Sequence, residues 1–252
     1  MSPVLELRDW SEFKNGMNRL LAVRPEKTVV LTVDLQNNYV DQESANAPLL
    51  PDEAVRVVTN TKTLLGFARN LGMPVIHVYT TRRPAELERE FTIPPYGQAG
   101  RNVRLWQTPH TSQAEIPDRP EGSRRSQVPE ELVEPSDMHV TTKKTLDGYL
   151  GTDLEILLNR ALKPETVVLT GLNTDTCVYS TTFSTANLGY NPIVISDCVA
   201  SMRGRDCHEM ALELMARSIA WVWTLDQFKE AVINGDESIA ATSAKISHAP
   251  QQ

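Results

Sequence analysis

Clustered basic charge is what this chain most plainly lacks: 25 Lys and Arg stand against 32 Asp and Glu, for a formal charge of −7 and a pI near 5.3. Nucleic-acid binding needs grouped Lys and Arg to displace counterions, so that partner is excluded. Cysteine is scarce too. Cys177, Cys198 and Cys207 are odd in number and lack zinc-type pairing, which argues against a disulfide framework or zinc cage and suits free thiols in a reducing compartment. No window approaches the roughly 18 apolar residues of a membrane span. The start, MSPVLELRDWSEFKNGMNRLLAV, has neither the basic opening nor the unbroken apolar run of a secretory signal. The expectation is a cytoplasmic protein with no membrane partner. No internal repeat is visible.

What is present is a chain of 252 residues, 40% hydrophobic and 23% charged, enough for one substantial core. We expect a single domain over residues 1–235 and a flexible tail over 236–252. TVVLTVD (28–34) is a β-branched run of the kind buried on both faces of a parallel sheet. A helix follows from Pro51, with Val55, Val58, Leu64, Leu65 and Ala68 at helical spacing and Gly72 as its stop. The strand PVIHVYT (74–80) comes next. After a long break come a strand around Val140, a helix from Thr152, a strand at Thr166–Gly171, and a helix from about Cys177 to Leu188 closed by Gly189. PIVISD, a helix near Arg205–Arg217 and IAWVW complete the series. Alternating strands and helices predict a doubly wound α/β fold: about six parallel strands with helices on both faces, Rossmann-like and three-layered. The break, residues 81–135, is rich in proline and without sustained period; it reads as an irregular cover over an active site.

Ligands of an open parallel sheet bind beyond the carboxyl ends of its strands. Three reactive side chains fall there: Asp34 after the first strand, Lys143 after the strand around Val140, and Cys177 in LTGLNTDTCVYST. A cysteine in a first helical turn faces unpaired N–H groups and the positive end of the helix dipole, and a nearby ammonium acts in the same sense. Its pKa is therefore expected to fall and the sulfur to be ionised at neutral pH. Each residue alone also has an ordinary reading, as core filling, a turn residue or a solvated edge. Their joint placement at three strand ends favours chemistry.

The motifs DLQNNY (with Asp34, Gln36 and Asn37), KKTLDGYLGTDL (with Lys143, Tyr149, Gly151 and Thr152), TGLNTDTCV and NLGYNPIVISDCVAS together resemble the isochorismatase-like cysteine hydrolases. That superfamily includes N-carbamoylsarcosine, ureidoacrylate and biuret amidohydrolases and the nicotinamidases. The likeness spans about residues 28–223. It implies an Asp–Lys–Cys triad on Asp34, Lys143 and Cys177. Counting back from GTDL selects Lys143, whereas counting back from the cysteine favours Lys144, which stays the alternative. The resemblance further implies a cis bond at Leu172–Asn173 and an oxyanion hole made by the backbone N–H groups of Asn173 and Cys177. Gln36, Tyr149, Trp106 and Arg82 are the substrate-binding candidates, with Arg83, Arg101 and Arg104 as other cations of the cover. A homo-oligomer, tetramer or dimer, is implied as well.

The nicotinamidases carry an Asp-x-His metal motif where this chain reads YTTRRPAEL, so neither metal nor other cofactor is expected. His77 reads as packed within its strand, and His110, His139, His208 and His248 lack ligand spacing. The expected activity is cysteine-dependent hydrolysis of the C–N bond in a small carbamoyl- or ureido-type amide through a thioester. Alternatives are hydrolysis of an ester or vinyl ether, and a non-catalytic binding protein on the same fold.

Overall fold

The computed structural model describes residues 8–43, 45, 48–88 and 119–233. The expected tail and the middle of the cover segment lie outside them, as do Trp106, Arg101, Arg104, His110 and His248. Six parallel strands form one sheet: β1 (Thr28–Val33), β2 (Val75–Thr80), β3 (Met138–Lys143), β4 (Thr166–Leu172), β5 (Asn191–Ala200) and β6 (Trp221–Trp223), in the order β3-β2-β1-β4-β5-β6. The expected architecture is observed. Strand order reverses between β1 and β4, which places a topological switch point at their C-terminal ends.

Two apolar clusters sandwich the sheet. Val29, Leu31 and Val33 of β1 join one cluster with Leu154, Leu158, Leu212 and Met215. Val30 joins the other with Leu64, Leu65 and Phe228. Strand alternation divides each central strand between the two layers. The first layer carries α5 (Leu154–Ile156, running into a π-turn at Leu157–Leu162), α6 (Tyr179–Asn187) and α7 (Arg205–Ser218); the second carries α3 (Pro51–Asn70) and α8 (Leu225–Ile233). Two shorter helices, α2 (Asn37–Val40) and α4 (Pro84–Glu88), follow β1 and β2, and α1 (Ser11–Asn18) precedes the sheet. No described helix is long and apolar enough to cross a membrane.

Helix α3 begins as expected, with Pro51 in its first turn beside Asp52 and Glu53, where the dipole favours negative charge. Gly72 stops it at φ +73°. Its buried face is Ala54, Val57, Thr61, Leu64, Leu65 and Ala68. Val55, expected on that face, is 67% exposed, because a helix placing Leu64, Leu65 and Ala68 inward at 3.6 residues per turn brings position 54 inward instead. Strand β5 also runs past the expected PIVISD to Ala200, through an irregularity opposite Leu169 to Gly171. The Arg56 guanidinium donates to the carbonyls of Ser196, Asp197 and Val199 there, supplying partners that the interrupted ladder does not.

Candidate active site

At the switch point β1 hands over to Asp34, whose backbone takes the left-handed φ of +49°. Asp34 N donates to Val78 O at 2.8 Å. Beyond that bond side chains continue the ladder. Asp34 Oδ1 accepts from Thr80 N at 3.1 Å and from Thr80 Oγ1 at 3.3 Å, while Gln36 Nε2 donates to Thr80 O at 2.8 Å and to Ser126 O at 2.7 Å. Both polar groups of the last β2 residue are thus held by side chains leaving β1, which orients the Asp34 carboxylate rigidly. On the other flank, Gly171 of β4 lies so close to β1 that a Cβ would stand 2.1 Å from Val33 O. Only glycine allows that approach, and it brings the segment after β4 against Asp34.

Lys143 ends the edge strand β3, two strands away from β1. Strict alternation from the buried Val140 would turn Thr142 and Lys144 inward. A bulge intervenes: Thr80 pairs with both Thr142 and Lys143, and the extra residue rotates Lys143 onto the buried face. Lys143 is 1% exposed, and its Nζ lies 2.5 Å from Asp34 Oδ2. Burial works against its ammonium, yet the Asp34 carboxylate, with the Cys177 sulfur behind it, holds its pKa above the ordinary value. Lys144 points elsewhere, donating to Glu86 Oε2 at 2.9 Å and to Thr81 O. The geometry therefore brings Lys143, and not the alternative Lys144, to Asp34.

Cys177 lies in a π-helical turn (Thr174–Val178) that leads directly into α6. The Leu172–Asn173 peptide bond is cis. Asn173 O accepts from Thr176 N and Val178 N at 3.1 Å each, straddling the Cys177 amide, and Asn173 Oδ1 accepts from Met202 N at 2.9 Å. The Cys177 thiol lies within electrostatic reach of both Asp34 and Lys143. One side chain from each of three distant segments thus converges.

The direction of the thiol's shift is opposite to the expected fall. Burial pushes the Cys177 thiol up to about 11, with Lys143 pulling it down and the adjacent Asp34 carboxylate pushing it up again. Burial in this place therefore favours the thiol over the thiolate. Cys177 is only 7% exposed within an apolar cluster, so desolvation outweighs one ammonium that a carboxylate already neutralises.

Gln36 is fully buried, with its amide nitrogen used twice and its Oε1 without a hydrogen-bond partner. Tyr149 lies in the apolar cluster that contains Cys177, and its hydroxyl is 3.0 Å from Thr185 Oγ1 of α6. Arg82 is 8% exposed just past β2; its N donates to Arg119 O at 2.9 Å and its O accepts from Glu121 N at 2.8 Å. Arg83 faces outward on Glu86. His77 is packed, with Nδ1 2.7 Å from Thr32 Oγ1 and Nε2 3.2 Å from Asp137 Oδ2, and burial lowers its pKa to about 4. His139 lies 3.2 Å from the Tyr79 hydroxyl, and His208 Nδ1 lies 2.8 Å from Thr174 Oγ1. Among the described residues no three His, Cys, Asp or Glu side chains converge as a metal site.

Two residues at the site went unnoticed in the sequence. Thr80, which holds Asp34, could have been found from its place at a strand's C-terminal end. Arg119, whose charge acts on both Lys143 and Cys177, sits in the irregular segment, where no periodicity marks it.

Against known proteins, the family model described as "Isochorismatase domain" matches residues 28–227. The uncharacterized isochorismatase family protein YrdC of Bacillus subtilis (strain 168) is 35% identical over 108 residues; the match covers 38% of this chain and 57% of that protein's length. The ureidoacrylate amidohydrolase RutB of Pantoea ananatis is 27% identical over 90% of this chain and 93% of its own. The maleamate amidohydrolase of Pseudomonas putida is 26% identical over 74% of this chain and 78% of its own. Among solved structures, an isochorismatase family protein from Burkholderia thailandensis superposes with a TM-score of 0.64 at 26% identity, covering 84% of this chain and 97% of that one. The N-carbamoylsarcosine amidase of Thermoplasma acidophilum shares the fold, with a TM-score of 0.58 at 24% identity over 79% of this chain and 97% of its own.

Proposed function

The chain belongs to the isochorismatase family, a hydrolase family in which amidohydrolases are among its relatives, and from that premise we propose that it is a cysteine-dependent amidohydrolase. Its substrate is a small carbamoyl- or ureido-type amide or a related amide, cleaved at the C–N bond through a thioester. The observation that carries this reading is the convergence of Asp34, Lys143 and Cys177 at the switch point, with the carboxylate bonded to the ammonium and both acting on the thiol.

In the reaction, Asp34 removes the thiol proton as Sγ attacks the carbonyl carbon. Deprotonating a thiol of pKa about 11 at pH 7 costs roughly 5 kcal/mol. Transfer to Asp34 during attack, under the field of Lys143, avoids a free thiolate. The backbone N–H groups of Asn173 and Cys177 receive the oxyanion, each such donor lowering the barrier by about 3 kcal/mol. Asp34 then protonates the departing nitrogen, the C–N bond breaks, and water deprotonated by the same carboxylate hydrolyses the thioester. Gln36, Arg82, Tyr149 and Trp106 remain substrate-binding candidates, Tyr149 in a supporting place beneath α6. A cytoplasmic homo-oligomer belongs to the same proposal.

The test is nitrogen release across a panel of amides, ureas and esters, with Cys177→Ser and Cys177→Ala as controls. Turnover of amides lost in both variants supports the reading. Turnover retained in Cys177→Ala, or confined to esters, rejects it.

A further inference from the structure

The turn that carries Cys177 is tied to the segment after β5 by three consecutive side chains. Asn173 Oδ1 accepts from Met202 N at 2.9 Å, Thr174 Oγ1 lies 2.8 Å from His208 Nδ1, and Asp175 Oδ2 accepts from Arg203 Nη1 at 2.8 Å. The partner segment is itself ordered: Arg203 N donates to Ser201 Oγ at 3.0 Å, and His208 N donates to Gly204 O at 3.2 Å in the first turn of α7. The middle tie differs in kind from its neighbours. Asn173 bonds a backbone amide, and the Asp175–Arg203 pair is partly exposed, whereas Thr174 and His208 are both buried, at 0% and 7%. Two apolar side chains of the same shape can replace a buried bonded pair at little cost in stability, so what this bond adds is direction. Thr174 stands between Asn173, which precedes the π-turn, and Cys177 within it; the N–H groups of those two residues receive the oxyanion in the proposed reaction.

We propose that His208 is a positioning residue of the acyl-transfer step: through Thr174 it fixes the turn after β4 so that the N–H groups of Asn173 and Cys177 converge on the developing oxyanion. The inference rests on the cysteine-hydrolase reading and adds to it what aims the donors. The His208 ring bonds to Thr174 rather than to any of the three reacting side chains, so it acts through the backbone of the turn. Burial lowers its pKa, so at pH 7 the neutral ring offers one N–H and one lone pair, either of which suits a threonine hydroxyl. Oxyanion donors act over about 2.7–3.1 Å, and misplacing reacting groups by about 1 Å costs as much as roughly 100-fold. A turn released by part of an ångström is therefore expected to lose about tenfold in acyl transfer.

Two reagents that meet the same sulfur separate aim from nucleophilicity. p-Nitrophenyl acetate acylates it through a tetrahedral oxyanion: the S–C bond forms, the aryl ester C–O bond breaks, p-nitrophenolate leaves, and the thiol proton passes to Asp34. Iodoacetamide alkylates it by displacing iodide, with no oxyanion. The first is followed by p-nitrophenolate released in the first turnover, less that of Cys177→Ala, and the second by mass spectrometry of the Cys177 peptide, each relative to free glutathione. Thr174→Val and His208→Leu should each lower the acylation-to-alkylation ratio about tenfold, and the double variant no further, because both remove one shared bond. Thr174→Ser, which keeps the hydroxyl, and His208→Asn, whose amide stands near the place of Nδ1, should keep most of the ratio. Arg203→Gln, at the partly exposed tie, should lower it severalfold and serves as the test where neither buried variant folds. The proposal is overturned if the ratio is unchanged in these variants when folded, or if the losses multiply in the double variant. It is overturned as well if iodoacetamide modifies Cys177 of the unaltered protein ahead of Cys198 and Cys207 while the ester does not, since no donors are then there to aim. If neither reagent selects Cys177, the nucleophile reading itself fails and this inference goes with it.

Discussion

Replacing Lys143 by methionine keeps most of the side-chain volume and removes the ammonium, leaving the Asp34 carboxylate without its cation. Both side chains are 1% exposed and 2.5 Å apart, so water does not take over the vacated role. Breaking a buried pair by removing one partner costs about 3–5 kcal/mol. For a chain of this size each kcal/mol lowers Tm by roughly 2–4 °C, giving a fall of about 6–20 °C. Thermal unfolding followed by circular dichroism measures it. The double variant Asp34→Asn/Lys143→Met removes the uncompensated charge and should regain at least about half of the loss while remaining inactive. Lys144→Met is the control: its ammonium meets Glu86 with 19% of the side chain exposed, and it should cost about 1 kcal/mol or less. The reasoning is refuted if Lys144→Met is the more damaging change, or if Lys143→Met unfolds within a degree or two of the parent.

Because burial holds the Cys177 thiol near 11, its alkylation rate should rise about tenfold per pH unit from pH 7 to 10; a plateau below pH 9 contradicts that placement. Burial lowers His77 to about 4 from its ordinary 6.5, so the unfolded chain binds its proton first as pH falls. Stability should decline through the window from 6.5 to 4 by up to roughly 3 kcal/mol. Urea titrations should show His77→Gln with a visibly flatter decline there, and an identical slope would remove His77 as the cause. Gly171→Ala places a Cβ 2.1 Å from Val33 O at φ +109°, and should abolish soluble folded protein; a variant melting within about 1 kcal/mol of the parent would show that β1 and β4 can part at little cost.

The amino-acid sequence alone determined the layered parallel fold, because β-branched runs such as 28–33 and 166–172 suit strands buried on both faces, and the helices between them declare their caps. It also determined that Asp34 and Cys177 lie at strand ends. Tertiary structure alone decided which of Lys143 and Lys144 reaches Asp34, since alternation along β3 turns Lys144 inward and only the bulge opposite Thr80 reverses it. The same holds for the direction of the thiol's pKa shift, where a helix start and a nearby lysine argue for a fall and desolvation by residues far apart in the chain raises it. Arg119 was invisible for a related reason: its position depends on hydrogen bonds to Arg82 and Tyr39, 37 and 80 residues earlier in the chain. Periodicity reports which face a residue takes within its own element, whereas charge, burial and aim at a site are set by which distant elements pack around it.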